Sequence, residues 1–353
     1  MNKNNIIYLS EDATSAQYRY RVKNILEALK DNKKYNLASF LKSDISKLEK
    51  ELPRADLIIL ERQTAKNSVI PNLIDRAKSF GVKVIFDLDD LIFDYRDLPT
   101  LMRATNSKNI FYWVGYFWGI RRVAKHADGF IVTNGFLAKK IKRSFKKPVA
   151  IIPNSLNAEQ IKISQDACKK KQNNKTYTLG YFSGSPTHAK DFRIIEPAIT
   201  KFLEVHRNAS LTVVGYMDFS AQAKQLIDKG RIKFEKPVDY LRLQEKIANV
   251  DINLAPLAIN DFTNCKSELK FFEAAIVKTP TIASPSYSFK HAIKNKETGL
   301  LAEPDEWYAQ LEYAYSHPKE MSAIALSAKE YALENYYGDK LVKDIEAAYG
   351  IFI

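Results

Sequence analysis

Residues 251–285 read DINLAPLAINDFTNCKSELKFFEAAIVKTPTIASP. Four residues at 252–255 predict a buried strand, 256–266 a polar loop, 267–277 an amphipathic helix, and 280–283 a second short strand. The loop empties into the start of the helix. Lys266 and Lys270 stand four apart there and share a face, with Ser267 between them and Glu273 one turn on. Cations beside a helix start can hold a phosphate group. A nearby carboxylate accepts hydrogen bonds from sugar hydroxyls. The order strand, phosphate-holding loop, helix, strand predicts a parallel α/β sheet that carries a nucleotide-sugar site.

The same alternation extends in both directions. Upstream in the second half, strand patterns fall at 178–182, 211–214 and 232–234, with helical patterns at 191–206, 221–229 and 238–249. The first half repeats it, with strands at 6–9, 36–40, 57–60, 82–86, 129–132 and 149–152 and helices such as 16–30 and 71–80. Pro153-Asn154 ends the first series, and the lysine-rich run 164–175 (SQDACKKKQNNK) reads as a linker. The tail, 303–349, is helical in pattern. A chain of 353 residues suits two such domains. Two Rossmann-like domains in tandem, facing each other, would bind ligands at the carboxyl ends of their strands, in the cleft between.

Composition narrows the class. No apolar window of about 18 residues predicts a membrane-spanning helix, and the first strand pattern begins too early to leave room for a signal peptide. Cys168 and Cys265 are the two cysteines, in unrelated contexts, so neither a disulfide framework nor a metal site is expected. A reducing cytosol is the simplest home. The net charge of +13 is concentrated: residues 1–155 hold 28 Lys and Arg against 16 Asp and Glu, an excess of 12. A basic half points to an anionic partner such as a membrane surface, or else to solubility alone.

Four further stretches carry candidate residues. GYFSGSPTHAKDF at 180–192 turns from strand to helix through Ser183, Gly184 and Ser185. Backbone N–H groups in such a turn suit a phosphate, and Lys190 adds charge; a plain capped turn, with His188 a loop residue, is the alternative. It is neither GxGxxG nor a Walker loop, so neither NAD binding nor ATP hydrolysis is supported. VIFDLDDLIFD at 84–94 places Asp87, Asp89 and Asp90 after a strand. The spacing of Asp87 and Asp89 is that of a haloacid-dehalogenase phosphatase, but Asp90-Leu91 stands where that class has Gly-Thr. The remaining readings are an acidic turn that caps a helix, or a cleft-lining group that orients an acceptor. Arg19 and Arg21 follow the first strand, where they would grip a diphosphate or an anionic acceptor unless they are ordinary surface arginines. Glu61-Arg62 takes the equivalent position after the third strand.

The fourth stretch, NIFYWVGYFWGIRRVAKHAD at 109–128, crowds Phe111, Tyr112, Trp113, Tyr116, Phe117 and Trp118 ahead of Arg121, Arg122 and Lys125. Aromatics beside cations form an interfacial membrane element; a helix buried between domains competes with that reading. No RNP motif supports nucleic-acid binding.

Taken together, these pieces resemble the GT-B glycosyltransferases, most closely the retaining family-4 group. The resemblance covers the whole chain and rests on the tandem βα domains, the VAIIPNSLN junction at 149–157, the 255–285 block and the helical tail. It implies an N-terminal acceptor domain at 1–160, a C-terminal donor domain at 176–335, and a last helix, 336–353, that crosses back to the N-terminal domain. It implies a metal-independent enzyme with no cofactor, which transfers a sugar from a UDP- or dTDP-sugar to a surface glycan, glycolipid or glycoprotein precursor. Configuration at the sugar carbon would be retained, and the protein would be cytoplasmic or peripheral at the inner face of the membrane. The second of the family's two signature glutamates matches Glu273, the ribose ligand; the phosphate-binding cations match Lys270 and then Lys266. The first glutamate, which contacts the donor sugar, falls at Cys265. Asp261, Asn264 or the loop backbone would substitute. No residue stands out as a nucleophile. The missing glutamate also motivates the alternative of a non-catalytic GT-B subunit that binds a partner glycosyltransferase or a glycan.

Overall fold

The computed structural model describes residues 3–105, 107–171, 176–184 and 189–353. The chain divides into two compact units. The first holds Met1–Asn157, Asn264–Ser267 and Tyr336–Ile353; the second holds Ala158–Thr263 and Glu268–Asn335.

In the first unit, β1 (Asn4–Ser10), β2 (Tyr35–Leu41), β3 (Leu57–Glu61), β4 (Lys83–Leu88), β5 (Gly129–Val132) and β6 (Val149–Ile151) form one sheet in the order β2-β1-β3-β4-β5-β6. All its pairings are parallel. The run LIILE of β3 is buried along its whole length, as expected of a strand covered on both faces. In the second unit, β7 (Tyr177–Ser183), β8 (Ala209–Gly215), β9 (Ile232–Glu235), β10 (Ile252–Ala255), β11 (Thr281–Ala283) and β12 (Leu300–Leu301) pair in the order β12-β11-β10-β7-β8-β9. The two-residue β12 is too short to leave a hydropathy pattern. The strand order reverses direction between β1 and β3 in one sheet and between β7 and β10 in the other. Chains leaving such neighbours diverge, and the crevice outside their carboxyl ends is where open α/β sheets bind ligands.

Gly215 brings the ends of β7 and β8 together. Its φ is +119°, and a Cβ there would lie 1.9 Å from the Ser183 carbonyl oxygen. Only glycine permits this approach.

Three local features differ from the sequence expectation. The helix expected at 16–30 contains a π-helical turn, Arg19–Lys23, between two α-helical pieces. The wider turn changes the phase of the helix, and Arg21 points into the core rather than to solvent. The expected linker at 164–175 is instead half helix: Ala158–Lys169 buries Gln160, Ser164 and Ala167. The Ser164 hydroxyl donates to Gln244 at 3.0 Å, on the helix Tyr240–Ala248. The helix expected at 267–277 is shorter, Leu269–Ala275, and a single turn, Asp261–Asn264, interrupts the loop before it.

The last helix, Gly338–Tyr349, belongs to the first unit. Leu341, Ile345, Ala348 and Tyr349 join Ile6 and Tyr8 of β1 in one core. The Tyr8 and Tyr349 hydroxyls meet at 2.5 Å. Among the described residues, no helix is long and apolar enough to cross a membrane.

Candidate functional site

In the second unit, the candidates gather at the reversal between β7 and β10. Ser183 ends β7 and Gly184 follows it in open space, exposed. Ser185 and His188 lie outside the described residues. Lys190 is exposed in the first turn of the helix Ala189–Val205. The next residue, Asp191, accepts a hydrogen bond from the Ala258 amide at 3.0 Å and ties that helix to the loop after β10. Asn253 in β10 anchors the following helix: its side-chain amide donates to the Lys270 carbonyl and to the Thr281 hydroxyl, each at 3.0 Å. The Lys270 ammonium then lies 4.7 Å from the ring centre of Tyr181, in β7. Lys270 is thereby held beside the strand that leads to Gly184.

Glu273, on the same short helix, is buried to 4% exposure. The fully buried Gln160 amide donates to its carboxylate at 3.4 Å, which fixes the acid from the neighbouring helix. Asp261 is exposed. With seven residues, the helix Leu269–Ala275 has only a weak dipole, so the cation of Lys270 is the stronger source of positive potential.

The other candidates of the block, Asn264, Lys266 and Ser267, cluster with the first unit. The Asn134 amide, after β5, donates to the carbonyls of Cys265 and Lys266 at 2.9 and 3.2 Å. Asn154, after β6, donates to the Ser267 hydroxyl at 2.9 Å. Lys266 reaches toward Asp90 at 4.0 Å. Cys265 is fully buried, so its side chain presents no surface to a sugar.

Arg21 and Asp87 are not groups lining an open face. They form a two-bonded pair at 2.9 and 3.0 Å, each 1% exposed. The Arg21 guanidinium also donates to the Ile152 carbonyl at 2.6 Å and to Asn154 at 3.3 Å. Asn24, on the same helix, donates to the Ser155 carbonyl at 2.6 Å. These two side chains pin the 149–157 junction. Burial pushes Asp87 up to about 6, with the Arg21 charge pulling it back. An acid held in this way cannot attack a phosphate ester. Arg19 is half-buried, with its guanidinium 4.4 Å over the Tyr20 ring. Asp89 and Asp90 instead hold Arg62, at 3.3 and 3.2 Å.

The aromatic helix Ile110–His126 is not buried along its length. Phe117, Ile120 and Val123 face the core, whereas Phe111 is 88% exposed and Ile110, Tyr112, Val114 and Trp118 are 41–52% exposed. Arg122 lies over the Trp118 ring at 4.7 Å.

Sequence reasoning missed the side-chain amides Asn134, Asn154, Gln160 and Asn253. Two of them, Asn134 and Asn154, follow the carboxyl ends of parallel strands, and that position was the available signal.

Residues 177–317 match the family model described as Glycosyl transferases group 1. No curated protein sequence is a match. Three similar solved structures are Anabaena Alr3699/HepE in complex with UDP, sucrose-phosphate synthase from Thermosynechococcus elongatus, and WaaG, a glycosyltransferase involved in lipopolysaccharide biosynthesis. HepE shares 15% identity over 98% of each chain, with a TM-score of 0.66. The synthase shares 15% identity over 99% of this chain and 98% of its own, with a TM-score of 0.68. WaaG shares 14% identity over 98% of this chain and 99% of its own, with a TM-score of 0.64. At such identities the likeness is one of fold, the tandem Rossmann-like architecture of the GT-B class.

Proposed function

We propose that the protein is a glycosyltransferase that moves a sugar from a UDP-linked donor to a hydroxyl of a surface glycan, glycolipid or glycoprotein precursor. The observation that carries this reading is the match of residues 177–317 to the glycosyltransferase family model, which spans Lys270 and Glu273. Support for uridine comes from HepE, which has been solved with UDP and with UDP-glucose. In this reading Glu273 accepts hydrogen bonds from the ribose hydroxyls, and Lys270, with Lys190, Ser183 and Gly184, faces the diphosphate. Breaking the sugar–phosphate bond leaves charge on the diphosphate, and a fixed ammonium stabilises it without a metal. Retention of configuration is part of the proposal. A panel of UDP- and dTDP-sugars, followed by calorimetry and by release of free nucleotide, tests it. Absence of donor binding by the folded protein would overturn it.

The burial of Cys265 favours a second reading, a non-catalytic GT-B subunit. Multiple turnovers by the isolated chain would eliminate it.

The exposed face of the aromatic helix supports a peripheral membrane role. Ile110, Phe111, Val114 and Trp118 fall within about 100° of one another on the helix, and Arg121 and Lys125 continue that face. Burying a large apolar side chain is worth about 1.5–3 kcal/mol, and each Lys or Arg adds about 1 kcal/mol at an anionic surface. Phe111→Ser with Trp118→Ser is expected to cut co-flotation with vesicles containing anionic lipid at least about tenfold. Undiminished flotation would remove the reason for a membrane role.

A further inference from the structure

The second unit has a cavity of about 590 Å³ at the amino ends of β7, β8 and β9, bordered by the end of the helix Tyr240–Ala248. Its size is in the range of small-molecule sites, about 300–1,000 Å³. Thr178, near the start of β7, lines it, whereas the nucleotide candidate Gly184 follows the other end of that strand. About 20 Å of extended chain separates the two. The strands mark this end as unusual. A parallel strand covered on both faces is apolar on both. On one face of β7 and β8, Leu179, Tyr181, Leu211 and Val213 join the core. The other face begins with hydroxyls: Thr178 stands in register with Ser210, and Thr212 with Lys233 of β9. It turns apolar farther along, at Phe182 and Val214, which pack with Ile247 and Val250. Thr178 and Ser210 are each 8% exposed, and their hydroxyls lie 3.4 Å apart. Such a floor supplies donors and acceptors where an apolar lining would supply none.

The charge of the lining sets the sign of the ligand. Among the described residues, Arg207, Arg231, Lys233 and Lys246 line the cavity against one acid, Glu235. Lys246 is paired with Glu235 at 2.5 Å. The Arg231 guanidinium donates to the carbonyls of Leu203, His206 and Ala209, each at 2.7 Å, and so answers the end of the helix Ala189–Val205. Arg207 and Lys233 are exposed and, among the described residues, have no acidic partner. A helix end carries about half a negative charge, and two helices end here. Those two half charges and one carboxylate leave about two positive charges in excess. Asp251, beside the cavity, accepts from the Thr178 amide at 2.7 Å; counting it leaves the balance positive.

We infer that this cavity binds the phosphoryl dianion of a small molecule, with Arg207 and Lys233 supplying the charge and the Thr212 hydroxyl a hydrogen bond. A phosphoryl group carries about −1.5 to −2 charges near neutral pH, which matches the excess of the lining. The planar guanidinium of an arginine fits its oxygens, and a lysine adds a point charge. Free phosphate and a phosphate ester share this chemistry, and the test separates them. The site stands apart from the nucleotide candidates and does not depend on the glycosyltransferase reading.

The test is titration of the full chain, labelled at its threonine and valine methyl groups and followed by NMR. The probes are glycerol 3-phosphate, ribose 5-phosphate and inorganic phosphate, with glycerol and ribose as uncharged controls. At least one of the three phosphates is expected to shift the methyl signals of Thr178, Thr212 and Val250, with an affinity that falls as salt is raised. The tightest of the three identifies an ester or free phosphate as the ligand. Lys233→Ala and Arg207→Ala are each expected to weaken that binding about tenfold, the loss of one hydrogen bond to a charged group. Both side chains are exposed, so neither substitution should move the melting temperature. Thr212→Val should weaken binding several-fold. Glycerol or ribose binding as tightly as its phosphate would overturn the inference, as would an affinity that ignores both charge substitutions. Shifts confined to Thr281, which shares the Asn253 amide with the Lys270 carbonyl, would place the phosphate at the nucleotide candidates and overturn it equally. So would the absence of any shift.

Discussion

Arg21→Met is expected to destabilise the first unit by about 3–5 kcal/mol, the usual cost of removing one partner of a buried ion pair. The substitution conserves most of the side-chain volume, so the loss is electrostatic. At 1% exposure with no guanidinium to answer it, Asp87 would either hold an uncompensated charge or take up a proton on folding, each at a cost near neutral pH, and the Ile152 carbonyl would lose its donor. Calorimetry should show the transition of the first unit moving well below that of the second. Amide exchange should accelerate across residues 149–157. The effect has a defined pH dependence. The folded Asp87 carboxyl sits above its unfolded value of about 3.9. Stability is therefore fully present below that value and is lost as pH rises through the folded pKa, near 6 in the native chain. Without Arg21 the folded pKa climbs further, so the variant should approach the wild type below pH 4 and diverge from it toward neutrality. Adding Asp87→Asn removes the orphan charge and should restore part of the loss. A cost below about 1 kcal/mol, typical of an exposed pair, would show that Arg21 and Asp87 do not form the buried anchor described above.

The Arg21–Asp87 pair also shows where sequence reading stops. Among the described residues, eleven of the twelve strands were legible, because a buried parallel strand leaves an uninterrupted apolar run such as LIIL before Glu61. The Ile252–Ala255 strand and the Thr281–Ala283 strand of the opening block fall within their expected bounds. Side-chain direction was not legible. A single π-helical turn at Arg19–Lys23 decides whether Arg21 meets solvent or Asp87, 66 residues away, and no local pattern encodes it. The lysine-rich composition of 164–175 concealed a helix for a similar reason: three buried positions, Gln160, Ser164 and Ala167, include two polar residues whose partners lie far along the chain. The residues of the opening block were legible as a motif but not as a grouping. Lys270 and Glu273 belong with the second sheet, whereas Asn134 and Asn154 claim the 264–267 segment for the first unit. Glu61 reads in sequence as the end of a strand; only the order β2-β1-β3 puts it at a reversal beside Ser10.

Lys270→Ala is expected to weaken UDP binding by about ten- to a hundredfold, the equivalent of one hydrogen bond to a charged group at about 1.5–3 kcal/mol. The ammonium is held over Tyr181 by the Asn253 anchor at the backbone of the same residue, so little side-chain entropy remains to be lost when a diphosphate arrives. Because the contact is ionic, the difference between variant and wild type should shrink as salt is raised. Glu273→Gln addresses the other end of the nucleotide. It preserves shape and an acceptor for the Gln160 amide, but replaces a carboxylate by a weaker acceptor, so the ribose hydroxyls lose about tenfold in affinity, with little salt dependence. The two substitutions act on different parts of one ligand and should combine nearly additively in free energy. Melting temperatures close to that of the wild type separate lost contacts from lost fold. Cytidine and adenosine diphosphates titrated alongside should respond to both substitutions as UDP does, because neither Lys270 nor Glu273 is assigned to the base; thymidine diphosphate, which lacks the 2′-hydroxyl, should respond less to Glu273→Gln. If both single variants remain folded and bind UDP as the wild type does, the nucleotide does not sit at the β7–β10 reversal, and the assignment of Lys270 and Glu273 is wrong.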